Sequence, residues 1–377
     1  MNPGLTSFRA LAFLAVFFFH AGWGPGYLGV QAFFVLSGFL LTPIMVSMKE
    51  NMGGKDFFIR FYGRRSLRIF PLYYMYLLVL GLLSWVIINM EGINPIERME
   101  RFLEQLPWAL TYTYNFYHAS EAFEHTHLLT HFWSLAVEEQ FYLVWPLVVF
   151  LVPTKRLKTV LLVCIAMGPL IRWGLVGFVG EDPMGLFYKR MDFTVYVLPF
   201  SHIDAFAMGG FFALFGKAKP GNIAWLYIAA VILLGYATDY AVQGKVEWVD
   251  LGYGPFMMGK EVWGFSVANW LFAYLLLQIK GKYFLTPFFE NKVLEYLGTI
   301  SYGLYVFHFG IMWAVSSVVA EGSLVHTVAS LVLTVAVSAA SYEFYEKRFI
   351  QRKDSMFPKN EKDKGKGATP AGKEEPA

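Results

Sequence analysis

Apolar positions in this chain come in long runs, and polar positions gather between them. Runs of about 18 or more apolar residues are long enough to cross a bilayer as helices. Ten can be marked, at residues 5–22, 28–48, 69–90, 134–152, 158–179, 197–216, 222–240, 262–280, 297–320 and 324–346. The pattern predicts an all-α membrane protein, a polytopic bundle of about ten transmembrane helices. That domain is expected to occupy residues 1–350. A disordered cytoplasmic tail is expected over 351–377, where Lys, Glu, Gly and Pro dominate and no core can form.

Composition changes this picture little: of 377 residues, 56% are hydrophobic and only 16% charged, against about 25% charged in an ordinary soluble domain. The placement of charge is more telling than the net +3. Lys49, Lys55, Arg60, Arg64, Arg65 and Arg68 lie between the second and third runs. Lys155, Arg156 and Lys158 follow the fourth, Lys217 and Lys219 the sixth, and Lys280, Lys282 and Lys292 the eighth. These are alternate loops, and the long loop from Glu91 to Trp133 on the other side is net acidic. By the positive-inside rule both termini are cytoplasmic. The single cysteine, Cys164, sits in an apolar run with nothing beside it to make a thiolate.

The first run, LTSFRALAFLAVFFFHAG, carries two ionisable residues, Arg9 and His20. A signal peptide would place its charge before the run and a small-residue cleavage site after it; here Arg9 is inside and Gly, Trp and Pro follow. Arg9 and His20 are eleven residues apart, roughly 16 Å along a helix, with Arg9 towards the cytoplasm and His20 towards the outside. Two readings fit this spacing. The pair faces a wet cavity inside the bundle as a functional site, or Arg9 snorkels to one interface while His20 caps the other end.

Other polar residues raise the same choice. Gly29, Ala32, Ser37 and Gly38 in the second run suit close helix packing. In FFIRFYGRRSLRIFPLYY, Arg64, Arg65 and Arg68 share a helix face at spacings of three and four. They read either as topology signals beside anionic lipid or as a phosphate site, to which arginine is suited. His125, His127 and His131 end the outer loop without a supporting metal-ligand pattern, so no metal site is assigned; an acceptor-contacting or interfacial surface remains. In FWSLAVEEQFYLVWP, Glu138 and Glu139 point about 100° apart, so at most one faces a given cavity squarely. They lie one turn inside the outer end of their run, at the expected level of His20, so a histidine base and an orienting carboxylate become conceivable. Arg172, His202, Asp204 and His308 either line the same cavity or are satisfied packing residues. GFSVA around Ser266 lacks the last glycine and the strand of a nucleophile elbow.

With these pieces assembled, residues 4–350 resemble the acyltransferase 3 family of bacterial integral-membrane O-acyltransferases. The motifs that carry the resemblance are Arg9 with His20, GYLGVQAFFVLSGFLL, FYGRRSLRIFPLYY, FWSLAVEEQFYLVWP and ISYGLYVFH, in that order. One departure is Arg348 in SYEFYEKRF, where the family usually has proline. The resemblance implies transfer of an acyl group, acetyl in the first place, from acyl-CoA as co-substrate to a hydroxyl of an extracytoplasmic carbohydrate or glycolipid. It casts His20 and Glu138 as catalytic, with Glu138 favoured over Glu139, and Arg9, Arg65 and Arg68 as acyl-CoA-binding. It implies a multi-pass protein of the plasma membrane with no permanently bound cofactor and no nucleic-acid partner. The rivals are a transporter using the Arg, His and Glu as a proton relay, against which no inverted repeat is visible, and a silent sensor of acyl-CoA.

Overall fold

The computed structural model describes residues 2–24, 26–90, 96–181, 191–218 and 264–358, with scattered positions between 226 and 262. Among the described residues there are helices and no β-strand. In chain order they are α1 (Pro3–His20), α2 (Leu28–Asn51), α3 (Gly54–Ile88), α4 (Ile96–Leu110), α5 (Tyr114–Ala119), α6 (Phe132–Leu151), α7 (Thr154–Glu181), α8 (Met191–Val197), a 3₁₀ turn (Pro199–His202) and α9 (Ile203–Phe215). Then follow α10 (Phe265–Lys280), α11 (Thr286–Phe289), α12 (Lys292–Thr299), α13 (Ser301–Ser316), α14 (Leu324–Ser341), a π-helical turn (Tyr342–Glu346) and α15 (Lys347–Met356).

Among the described residues six stretches are long and apolar enough to cross a membrane: α1, α2, α3, α6, α7 and the continuous Leu324–Met356. The sequence pattern marked ten. The runs at 197–216, 262–280 and 297–320 fold as the shorter α9, α10 and α13, with α12 taking the start of the last. The run at 222–240 lies outside the continuously described residues. The helix at the C-terminal end passes through Arg348 without a break and runs to Met356, as expected where no proline removes an N–H. Between α3 and α6, residues 96–110 form the amphipathic α4, packed along α3.

Local signals start the helices. The Asn2 side-chain oxygen accepts from the backbone N–H of Gly4 and of Leu5, and Pro3 opens α1 with no N–H to satisfy. Asn291 and Ser323 cap α12 and α14 in the same way. Burial then sorts centre from rim. Of the most apolar window of α2, 78% is buried, against 17% for α7. Leu162, Leu170 and Trp173 of α7 and Leu78, Leu82 and Trp85 of α3 are accordingly exposed outward, where lipid replaces water.

The central helices approach closely because glycines sit where they cross. A Cβ at Gly38 of α2 would fall 2.0 Å from the carbonyl oxygen of Phe206 on α9, and one at Gly209 of α9 would fall 2.0 Å from that of Val35. Gly29 of α2 lies equally tight on Ala12, and Gly298 of α12 on Thr6, both on α1. The expectation of close packing at Gly29 and Gly38 is what the structure shows.

Three residues left open by the sequence are packing residues. Arg172 of α7 forms a two-pronged pair with Asp204 of α9, both bonds 2.9 Å and both residues wholly buried. Its remaining donors go to the carbonyls of Ser201 and Val262 and to Ser266 Oγ, which itself donates to Asp204. Gly168 leaves the space the carboxylate needs. His202 is held between Gln31 (3.0 Å) and the carbonyl of Tyr196 (2.7 Å). Leaving one charge of a buried pair alone costs about 3–5 kcal/mol. Arg172→Leu should therefore lower the unfolding temperature in detergent by several degrees or prevent insertion, and Arg172→Leu with Asp204→Leu should recover part of the loss. A double variant no more stable than the single would contradict this reading.

Candidate active site

One cavity opens among α1, α2, α3, α6 and α13, enclosing about 790 Å³ with its mouth included. Arg9 reaches it from α1, Ser37 from α2, Arg65 and Arg68 from α3, Ser134, Glu138, Glu139 and Tyr142 from α6, and Tyr302 and Tyr305 from α13. Four of the five sequence-predicted site residues thus share one wall. Arg65 stacks over the ring of Tyr142 at 5.4 Å. Among the described residues no protein group within hydrogen-bond or ion-pair distance takes the donors of Arg9, Arg65 or Arg68. This is the opposite of Arg172, whose donors are consumed.

Arg64, grouped with Arg65 and Arg68 by helix-face spacing, faces elsewhere. It pairs with Asp354 at 2.7 Å and donates to the carbonyl of Phe357 at 2.6 Å. Arg60 donates to the carbonyl of Pro358, and the ring of Phe357 lies on Gly63. These two arginines clamp the C-terminal helix against the start of α3.

His20 ends α1 and has a different partner from the expected one. Its Nδ1 lies 2.8 Å from Nε2 of His308 on α13, with the rings near parallel. Phe309 stacks against its ring at 4.6 Å. Glu138 instead accepts from Ser37 Oγ at 2.5 Å and from the hydroxyl of Tyr142. The expected His20–Glu138 pairing is not formed, for a reason of register. Helix α6 starts at Phe132, so Glu138 lies six residues, roughly 9 Å, inside it. The residue that meets the histidine pair from this side is His131, just before α6, whose ring lies 5.0 Å from that of His308. Both Glu138 and Glu139 line the cavity, against the expectation that only one would, and Glu139 Oε1 is buried without a hydrogen-bond partner.

Cavity and histidines adjoin. Ser134 and Tyr305, at the end of the cavity wall, bond to each other at 2.5 Å. The Tyr305 carbonyl accepts from His308, and Tyr305 OH from its side reaches the carbonyl of His131. Beyond Phe309 lie His125 and His127, ring centroids 4.7 Å apart and 5.8 and 5.3 Å from Phe309. They line a second pocket with Arg98, Arg101 and Trp313. Burial, then the neighbouring His127 and Arg101, pushes His125 down to about 4, and burial lowers His127 also, so both are neutral at pH 7. Among the described residues no three His, Cys, Asp or Glu side chains gather as metal ligands.

A family model described as an acyltransferase domain matches residues 2–343. The chain belongs to this acyltransferase family. It is a multi-pass protein of the cell membrane. It is 26% identical over 370 residues to the peptidoglycan O-acetyltransferase OatA of Listeria monocytogenes, covering 91% of this chain and 55% of that one. It is 26% identical over 390 residues to the O-acetyltransferase OatA of Staphylococcus aureus, covering 97% and 60%. The chain therefore spans a little over half the length of these relatives. No solved structure matches it.

The clamp generates a prediction that separates Arg64 from its neighbours. Charge-assisted hydrogen bonds contribute about 1.5–3 kcal/mol each. Arg64→Ala should expose the C-terminal helix to limited trypsinolysis while leaving the protein inserted and folded. A protease pattern like that of the unaltered protein would show that the clamp does not hold the helix.

Proposed function

We propose that the chain is a membrane O-acyltransferase, moving an acetyl group from cytoplasmic acyl-CoA to a hydroxyl of an extracytoplasmic glycan. The observation that carries this reading is the set of three guanidiniums lining one cavity, with donors that no group among the described residues takes. Such a set suits the phosphates of a nucleotide thioester, since arginine forks match phosphate oxygens. Both termini are cytoplasmic in this reading, as the loop charges require, so Arg65 and Arg68 lie at the inner side. The uncharged pantetheine arm then runs along the cavity past Arg9 and Glu138 towards Ser134, Tyr305 and His20. The acceptor comes from the opposite side, across the pocket of His125, His127 and Trp313. One named relative acts on peptidoglycan, and a cell-wall glycan is the acceptor class proposed here.

In the reaction His20 takes the proton of the sugar hydroxyl, whose oxygen attacks the thioester carbonyl. The tetrahedral intermediate collapses to the ester, and the sulfur leaves as coenzyme A carrying the proton back from His20. Acyl-CoA is the only co-substrate this requires. The rival proton relay would need His20 and Glu138 joined by hydrogen bonds, whereas each has its own partners.

Two measurements test the reading with the protein in lipid nanodiscs, radiolabelled acetyl-CoA and muramic-acid-containing glycan fragments. His20→Ala should abolish transfer with insertion intact; near-normal turnover would remove His20 from the chemistry. Arg65→Ala and Arg68→Ala should each weaken acetyl-CoA binding about tenfold or more, since a charge-assisted phosphate contact contributes about 1.5–3 kcal/mol, with acceptor affinity unchanged. Unaltered acetyl-CoA affinity in both variants would leave these arginines as topology signals.

A further inference from the structure

We infer that His308 is a positioning residue that fixes the tautomer of His20 and holds its imidazolium when the proton arrives. The inference rests on the role given to His20 above, but its geometry stands by itself. His308 Nδ1 lies 2.7 Å from the carbonyl oxygen of Tyr305. A carbonyl can only accept, so Nδ1 carries the proton, and in a neutral imidazole Nε2 is then an acceptor. That Nε2 is 2.8 Å from His20 Nδ1, so His20 Nδ1 must donate. The consequence is a lone pair on His20 Nε2, the far nitrogen, which is where a base needs it. When Nε2 takes a proton, Nδ1–H still points at the same acceptor, and no side chain has to turn.

The surroundings hold this arrangement in place. His308 is wholly buried. Phe13 packs edge-on against its ring at 5.8 Å, Phe17 lies tilted at 6.4 Å, and His131 crosses it at 5.0 Å. The Tyr305 carbonyl belongs to the same helix one turn earlier, so the His308 rotamer is set by α13 itself. His131 is locked separately, its Nε2 donating to the carbonyl of Val306 at 3.2 Å. A histidine serving packing alone would be satisfied by the Tyr305 carbonyl; the contact of its second nitrogen with His20 is the part that needs another reason.

The experiment uses two partial mimics. Asparagine places an amide near the Nδ1 position and keeps the Tyr305 bond but offers His20 nothing. Glutamine reaches the Nε2 position and can offer an acceptor oxygen. His308→Asn should lower kcat by at least about tenfold and towards the roughly 10⁴-fold seen when a tautomer-fixing partner is lost from a hydrolytic triad, with KM for acetyl-CoA and glycan within about twofold. His308→Gln should retain clearly more activity. The double variant His20→Ala with His308→Asn should be no slower than His20→Ala alone, because His308 acts through His20. A kcat near the wild-type value in His308→Asn, equal losses in the Asn and Gln variants, or a loss confined to KM overturns the inference. His20→Ala with normal turnover overturns the base assignment instead, so the two failures are told apart.

Discussion

A bilayer core holds no water to satisfy a polar side chain, so each one on a spanning helix must find its partner within the protein. This constraint explains most of what surrounds the cavity. Arg172 and Asp204 meet it completely, with every donor and acceptor engaged across α7, α9 and the start of α10. His202 meets it through Gln31 of α2 and the Tyr196 carbonyl of α8. On α1 it is met at one end and left open at the other. His20 has an acceptor in His308, whereas Arg9 faces a cavity whose other guanidiniums, like its own, donate to no side chain or carbonyl among the described residues. Polar groups that are all satisfied hold helices together; polar groups left open inside a bundle mark where something from outside is to bind.

Glycine crossings determine whether such partners can meet. The His20–His308 contact joins residues 288 positions apart, and its length depends on how α1 is seated among α2, α12 and α13. Gly29 brings α2 onto Ala12, and Gly298 brings the turn before α13 onto Thr6, each so closely that a methyl group would collide with backbone. Backbone contacts of this kind cannot relax as side chains can, so they fix depth as well as distance. Thr6 and Ala12 bracket Arg9 on α1. The same seating therefore determines how far Arg9 stands from α3 and how far His20 stands from α13.

Much of this was legible in the chain, and the illegible parts share a cause. Long apolar runs gave the main helices, and motif residues far apart in sequence did converge on one cavity: Arg9, Arg65, Arg68 and Glu138. Small residues in α2 gave the close packing. What failed was anything that depended on a neighbour from a distant helix or on a boundary shift. Glu138 was placed level with His20 because its run was started at 134; the helix starts at Phe132, and the glutamate moves about half a turn deeper. Arg64 shares a helix face with Arg68 in projection, but the helix that covers it comes from residues 347–356. His308 was one of four buried polar candidates, and periodicity could not show that its ring would meet His20 while Arg172, His202 and Asp204 bound one another or backbone.

The position of Glu138 alters what its charge can do. Beside His20 it would have been an orienter; among the arginines it balances charge. Three guanidiniums facing one low-dielectric cavity repel one another, and the Glu138 carboxylate on the same cavity offsets part of that repulsion. A glutamate free to form forked pairs would also consume the arginine donors, as Asp204 consumes those of Arg172. Glu138 does not, because Ser37 and Tyr142, both neutral donors, already occupy its Oε1. It lines the same cavity as Arg9 and Arg65, and their N–H groups stay available among the described residues. A carboxylate tied down by hydroxyls can thus make a cationic site tolerable without filling it.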